Sequence, residues 1–173
     1  YYKGRRPNGI YIPRFRNLGG ESDRKDYKRG FGYQGGASRG DWEETVAELS
    51  YGKDLKDAIL KPGGWNIGIG GFGEVLPYED NRMTLDYDKL DSWGLPTITF
   101  DADLQENEFN MRKDMQQSAI EMLEKAGVRD VKGHDGPTGL GLGIHEMGTA
   151  RMGRNSKTSV LNGNNQLHDV PNV

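Results

Sequence analysis

The sequence contains no cysteine. That absence excludes disulfides, thiolate nucleophiles and cysteine-ligated metals, while leaving the compartment open, because cytosolic and periplasmic chains alike can lack cysteine. No apolar run approaches the roughly 18 residues that a membrane span requires, so a soluble chain is expected. An excess of one charge is also missing: 23 Lys and Arg stand against 26 Asp and Glu, a formal net of -3. This balance gives no reason to expect nucleic acid or an anionic membrane as a partner. Hydrophobic residues are scarce, at 34% of the 173. A chain of this length can bury a core as one domain, but with 26 glycines it should be rich in loops and turns. It opens on Tyr1-Tyr2-Lys3, without Met or an apolar leader, and stops at Pro171-Asn172-Val173. Both ends are expected to be cuts in a longer polypeptide.

What is present falls into four stretches. Residues 1–41 are basic, aromatic and glycine-rich, with short strands expected at Ile10-Tyr11-Ile12 and from Gly30 to Gln34. One or two short helices fit between Trp42 and Leu60, the better one from Lys53 to Leu60, stopped by Lys61-Pro62-Gly63-Gly64. From Trp65 to Phe100 the pattern turns to strands: Phe72 to Leu76, Arg82 to Asp86 and Pro96 to Phe100. Met83, Leu85 and Tyr87 alternate with Thr84 and Asp86, as in a half-buried strand, and Asp91-Ser92-Trp93-Gly94 reads as a turn. Short links between consecutive strands favour antiparallel pairing. Residues 104–126 predict a helix. Met111, Met115, Ala119, Met122, Leu123 and Ala126 form one apolar stripe, Asp103 with Glu106 resembles a capping box, and Gly127 supplies the stop. The stripe is core packing rather than a cofactor box. The fold class is α+β: an antiparallel sheet with one long helix and long loops.

Several motifs have both a chemical and a structural reading. Gly68-Ile69-Gly70-Gly71-Phe72-Gly73 matches the dinucleotide fingerprint G-x-G-x-x-G, which functions only between a strand and a helix N-terminus. Here Glu74-Val75-Leu76-Pro77 follows, so a glycine-rich entry to a strand is the better account. The histidines are His134, His145 and His168. His145-Glu146 begins like a zinc-protease helix, but Thr149 stands where the second ligand would be, so no metal site is expected. His134 and His168 are expected to be ordinary loop or surface residues. No Ser stands in a nucleophile elbow. His145 has small residues on both sides, in Gly143-Ile144-His145-Glu146-Met147-Gly148-Thr149-Ala150-Arg151-Met152-Gly153, which let a backbone or a flat ligand approach. From the residues alone a structural histidine is the simpler reading, with a general base as the alternative.

The run His145 to Gly153, HEMGTARMG, resembles the histidine motif of the glucose–methanol–choline (GMC) flavoprotein oxidoreductases. Asn81 to Asp101 resembles that family's strand–turn–strand, and the following helix and the ending NNQLHDVPNV fall in the family's order. The resemblance covers residues 66–173, with residues 1–65 as a loop-rich lead-in, and is nearer to the pyranose 2-oxidase and bacterial glucoside dehydrogenase branch. It implies a substrate domain, truncated at its C-terminal end, whose sheet roofs a flavin; the Rossmann-like half that binds most of the FAD is absent. His145 would be the base that takes the hydroxyl proton of an alcohol, a sugar in particular, while hydride leaves for the flavin. The second catalytic residue, His or Asn in the family, would lie beyond Val173. Asn165 and Gln166 are expected where the chain turns back towards the cofactor, Gln34 and the loop before Trp65 near the substrate, and Asn81-Arg82 in a structural role. Partners would be the alcohol and an electron acceptor of open identity. The alternative is a non-catalytic carbohydrate-binding or interaction module using Trp42, Trp65 and Tyr78 as stacking platforms.

Overall fold

The computed structural model describes residues 9–20, 23–39, 51–59, 64–136, 140, 145, 147–170 and 172–173. The chain divides into two compact units, Tyr1–Leu76 with Gln105–Gly136 and Pro77–Leu104 with Pro137–Val173. The fold is α+β with antiparallel pairing throughout its named strands, as the sequence predicts. The strands, however, form two separate sheets.

The first unit holds a three-stranded sheet, β1 (Ile10–Ile12), β2 (Phe31–Arg39) and β3 (Trp65–Gly73), in that spatial order. A short helix α1 (Lys53–Ile59) and a long helix α2 (Glu106–Lys125) accompany it. The helix-stop residues 61–63 and Trp42 lie outside the described residues. Strand periodicity sends Phe31 and Tyr33 inward, where each is 1% exposed, and with Tyr27 and Met111 they make the buried core. Ile12, Phe15, Ile69, Met115, Ala119 and Met122 pack around it. Phe15 meets Phe31 edge-on at 5.5 Å, and Phe31 meets Tyr33 likewise at 5.6 Å, the geometry aromatic quadrupoles favour.

The glycine-rich run is neither a nucleotide loop nor an entry to a strand; it is most of β3 itself. Gly68 to Gly73 pair continuously with Gly36 to Phe31, and no helix follows. On the inward face large residues oppose small ones: Phe31 faces Gly73, Tyr33 faces Gly71, and Ile69 faces Gly35. A Cβ on Gly71 would lie 2.1 Å from Met115 Sδ, and one on Gly73 would lie 2.7 Å from Met111 Cε. These glycines let α2 settle directly on the strand backbone. The strand predicted over Phe72 to Leu76 therefore runs earlier, because Glu108 draws the Leu76 N–H out of the ladder at 3.0 Å.

Helix α2 begins two residues later than the Asp103–Glu106 pairing predicts. Gln105 is its N-cap, and Glu108 accepts the Gln105 N–H at 3.1 Å. Asp103 is engaged elsewhere: Asn81 Oδ1 accepts its N–H at 2.9 Å, and Asn81 Nδ2 donates to its carbonyl at 3.1 Å. The stop is as predicted. Gly127 takes φ +83, its N–H reaches Glu124 O at 2.9 Å, and Val128 N–H reaches Leu123 O at 3.0 Å, a Schellman closure. The Met stripe packs on the core, although Ala126 at its end is exposed.

Beside the stripe runs a buried polar row, Glu108, Asp114 and Ser118. Asp114 receives Arg16 Nε and NH2 at 2.9 and 3.2 Å and the Tyr27 hydroxyl at 2.5 Å. Burial pushes the Asp114 carboxyl up, but the Tyr27 and Arg16 hydrogen bonds and the Arg16 and Arg24 charges outweigh it, so its pKa is lowered. Burial and the Asp114 charge push the Tyr33 phenol up to about 12. This cluster pins the segment between β1 and β2 to the helix.

The second unit contains the hairpin β4 (Arg82–Leu90) and β5 (Pro96–Asp101). Its base is the Asn81–Asp103 clamp, which gives Asn81 the structural role expected of it. At its tip, Asp91 Oδ1 accepts the N–H groups of Trp93 and Leu95 at 2.8 and 2.9 Å, and Gly94 takes φ +79. Met83 pairs with Phe100 and Leu85 with Ile98. The alternation is as predicted, but the half-burial is not: Met83, Leu85 and Tyr87 are 56%, 48% and 73% exposed. A ribbon of two strands offers no second layer to cover that face.

Candidate functional site

His145 stands in irregular, exposed chain and makes no hydrogen bond to any described residue. Its upstream neighbours 141–144 and Glu146 lie outside the described residues. The downstream flank is anchored. Met147 is 89% exposed, and Gly148, at φ +110, turns the chain. Arg151 O then accepts the N–H groups of Val160 and Leu161, both at 3.1 Å, and Gly153 N–H reaches Leu161 O at 2.8 Å. Arg151 Nε donates to Thr158 O at 2.7 Å. A Cβ on Gly153 would lie 2.7 Å from that of Ser159, so the close crossing needs glycine. The arrangement is an exposed imidazole on a short tether that leaves a hydrogen-bonded knot.

His168 is not the plain surface residue its sequence suggests. It is half-buried, with Nε2 3.0 Å from Ser159 Oγ and 3.1 Å from Gly153 O. Ser159 Oγ donates its only proton to Asn155 O at 2.7 Å, so the ring carries its proton on Nε2 and donates to both oxygens. This is a structural tie rather than an activated serine. Sequence reasoning missed it; the available signal was Ser159 and His168 flanking an Asn-rich turn. His134 is exposed in a loop, as expected.

Asn165 and Gln166 lie in that turn. Asn165 adopts φ +66, Asn162 N–H reaches Gln166 O at 2.9 Å, and Asn162 Oδ1 accepts the Asn164 and Gln166 N–H groups. Both side chains are exposed. Gln34 lies on the outward face of β2, opposite Tyr11 on one side and Gly70 on the other. The Trp65 ring is capped by the Arg39 guanidinium at 5.1 Å, and Tyr78 is half-buried.

A cleft of about 440 Å³ in the first unit is rimmed by Arg14, Arg24, Lys28 and Arg29. Its arginines are already paired: Arg14 and Arg29 with Glu74 at 3.7 and 3.5 Å, and Arg24 with Asp26 at 3.0 Å. Its positive charge is largely spent within the protein. Among the described residues no group of three metal-ligating side chains converges, and no helix is long and apolar enough to cross a membrane.

Residues 77–173 match the family model described as GMC oxidoreductase. A 2-methyl-1,2-propanediol dehydrogenase of Mycolicibacterium austroafricanum is 31% identical over 154 residues, covering 86% of this chain and 28% of its own length. The chain thus spans little more than a quarter of that relative, and the 154 aligned residues extend upstream of residue 77.

Proposed function

The chain belongs to the GMC oxidoreductases, and from that premise we propose that it is the substrate-side part of an FAD-dependent enzyme that oxidises an alcohol, with His145 as the general base. The observation that carries the role of His145 is its freedom. Its imidazole is exposed and makes no hydrogen bond to a described residue, while the flank that follows is held by the Arg151, Gly153 and Ser159 contacts. A base needs a ring nitrogen left open for the substrate hydroxyl and a tether that limits where it goes. The neutral ring takes the hydroxyl proton as the carbon–hydrogen bond breaks.

A flavin, when bound, accepts the hydride. The G-x-G-x-x-G run does not fit its dinucleotide part: it lies flat in a ladder with no helix N-terminus directly behind it. Asn165 and Gln166, exposed on their turn, are the cofactor contacts we retain. For the substrate we keep a sugar hydroxyl in view, and the diol dehydrogenase relative adds small vicinal diols. Both classes carry a second hydroxyl beside the reacting one. A stacking module is less well supported, since the Arg39 guanidinium covers one face of the Trp65 ring.

The test is anaerobic rapid mixing of the full-length protein with candidate alcohols. Bleaching of the oxidised flavin by an alcohol is the expected result. A protein that binds no flavin, or whose flavin no alcohol reduces, would overturn the reading.

A further inference from the structure

Downstream of His145, residues 151–153, 159–161 and 167–168 lie side by side, with Leu161 bridging Met152 on one side and Leu167 on the other. The backbone ties each segment to its neighbour. Arg151 O accepts the Val160 and Leu161 N–H groups, Gly153 N–H reaches Leu161 O, and His168 N–H reaches Val160 O at 3.1 Å. Pairings this short are marginal by themselves. Their spacing needs side chains to hold it.

The His168 side chain reaches across all three segments. From the third, its Nε2 stands 3.0 Å from Ser159 Oγ on the middle one and 3.1 Å from Gly153 O on the first. The proton's place follows from the neighbours. Ser159 Oγ gives its single proton to Asn155 O at 2.7 Å, and Gly153 O can only accept. The ring must therefore bring the proton, on Nε2. One N–H then serves two oxygens, and Ser159 is only 9% exposed. A buried acceptor that loses its donor there has no water to turn to. Gly153 completes the device, because a Cβ on it would lie 2.7 Å from the Ser159 Cβ. The missing Cβ brings its carbonyl within reach of the ring.

Five residues, 146–150, separate His145 from Arg151. Wherever 151–153 is held, the range of the imidazole is set from there. We propose that His168 is a positioning residue: its Nε2–H locks 151–153 in place and so fixes the anchor of the His145 loop. The purpose of that anchor rests on the reading of His145 as base; the lock itself rests on the distances. His168 acts through Gly153 and not by touching the substrate. Displacing a reacting group by about 1 Å costs up to about 100-fold in rate, so a slackened anchor is felt in the chemistry while the fold survives.

The experiment uses the full-length flavoprotein and two replacements of nearly equal shape. His168→Gln keeps an N–H donor close to the place of Nε2, and His168→Met keeps the bulk without the donor. Flavin reduction by 2-methyl-1,2-propanediol or glucose, whichever the parent accepts, is followed by anaerobic rapid mixing. Substrate affinity, flavin content and amide hydrogen exchange over Met147 to Gly153 are measured alongside. His168→Met should slow the limiting rate of reduction about 10- to 100-fold, with substrate affinity and flavin content near parental. Exchange in that stretch should quicken, and His168→Gln should restore both rate and exchange. In a His145→Ala background His168→Met should add nothing, because no base is left to position. Losses that multiply in full would make the ring a general packing residue and overturn the proposal. So would parental rate and exchange in His168→Met, or a glutamine variant no better than the methionine one. If His168→Met takes up no flavin, Ser159→Ala decides, since it keeps the ring and removes one acceptor. A smaller slowing with quicker exchange is expected there, and parental values overturn the proposal. A near-parental His145→Ala enzyme would sink the base reading alone, because amide exchange still reports whether the ring holds the anchor.

Discussion

Two glycines three residues apart in β3 should respond to the same substitution with opposite signs. A Cβ on Gly71 would stand 2.1 Å from Met115 Sδ, 2.4 Å from its Cγ and 3.3 Å from Tyr33 Cε1. Met is the most adaptable of the apolar side chains, but its backbone here is held, because the Tyr33 hydroxyl donates to Met115 O at 2.6 Å. Gly71→Ala must therefore push Met115 into another rotamer or lift α2 off the sheet. Overpacking of this kind costs about 1–3 kcal/mol. The lower backbone entropy of alanine in the unfolded chain returns about 0.5–1 kcal/mol, leaving a net loss of up to about 2.5 kcal/mol. Gly68→Ala meets no described atom within 4 Å and should keep the whole gain. The pair should thus differ by about 1–3 kcal/mol, or several degrees of melting temperature at about 2–4 °C per kcal/mol for a chain of this size. Urea titrations and melting curves of the two variants beside the parent give the order. If Gly71→Ala melts at or above the parent, the close seating of α2 on β3 is wrong, and with it the division of the glycines into two faces.

The remaining predictions concern the charge cluster and the histidine loop. His145→Ala, which removes the proposed base, should slow flavin reduction about 100- to 10,000-fold while flavin content stays parental; near-parental reduction in rapid mixing would refute the proposal. Asp114→Asn leaves Arg16 without its carboxylate. Breaking a buried pair costs about 3–5 kcal/mol, and because the Arg16 side chain is 27% exposed the loss should fall nearer about 2–3 kcal/mol, read from urea midpoints. Because the folded Asp114 pKa is lowered, its contribution is complete above the unfolded value near about 3.9 and fades as pH falls through the folded value. Parent and variant should converge in stability on the acid side and separate towards neutrality. Gly153→Ala drives a Cβ to 2.7 Å from that of Ser159, so it should cost about 1–3 kcal/mol and slow flavin reduction by displacing the His145 tether.

Local chemistry made part of the fold legible. The turn at Asp91 to Gly94 and the stop at Gly127 were readable because each depends on a few adjacent residues: an aspartate oxygen over two N–H groups, and a glycine at positive φ. The start of α2 was misread for the same kind of reason. Asp103 has the composition of a cap, but Asn81, 22 residues earlier, takes its N–H, and Glu108 does the capping from within the helix. The glycine run was half-legible. The context after Gly73 argues against a nucleotide loop, yet nothing local shows that β3 begins at Trp65, since its partner strand lies more than twenty residues upstream.

The site shows the same limit more sharply. His145 is a candidate through its motif alone, because family resemblance carries long-range information that composition lacks. Asp114 was hidden inside a stripe read as apolar. Its neighbours Met111 and Met115 follow the helical period, but Asp114 and Ser118 lie on the buried side as well, and their partners Arg16 and Tyr27 are 98 and 87 residues away. An acidic residue one position from a core methionine is a signal worth testing for a distant arginine, since a buried carboxylate must be paired. Glycine teaches the converse. Gly71 and Gly68 are indistinguishable in sequence, and only the register, which sends one towards α2 and leaves the other with no described atom within 4 Å, separates a glycine that packing requires from one that it does not.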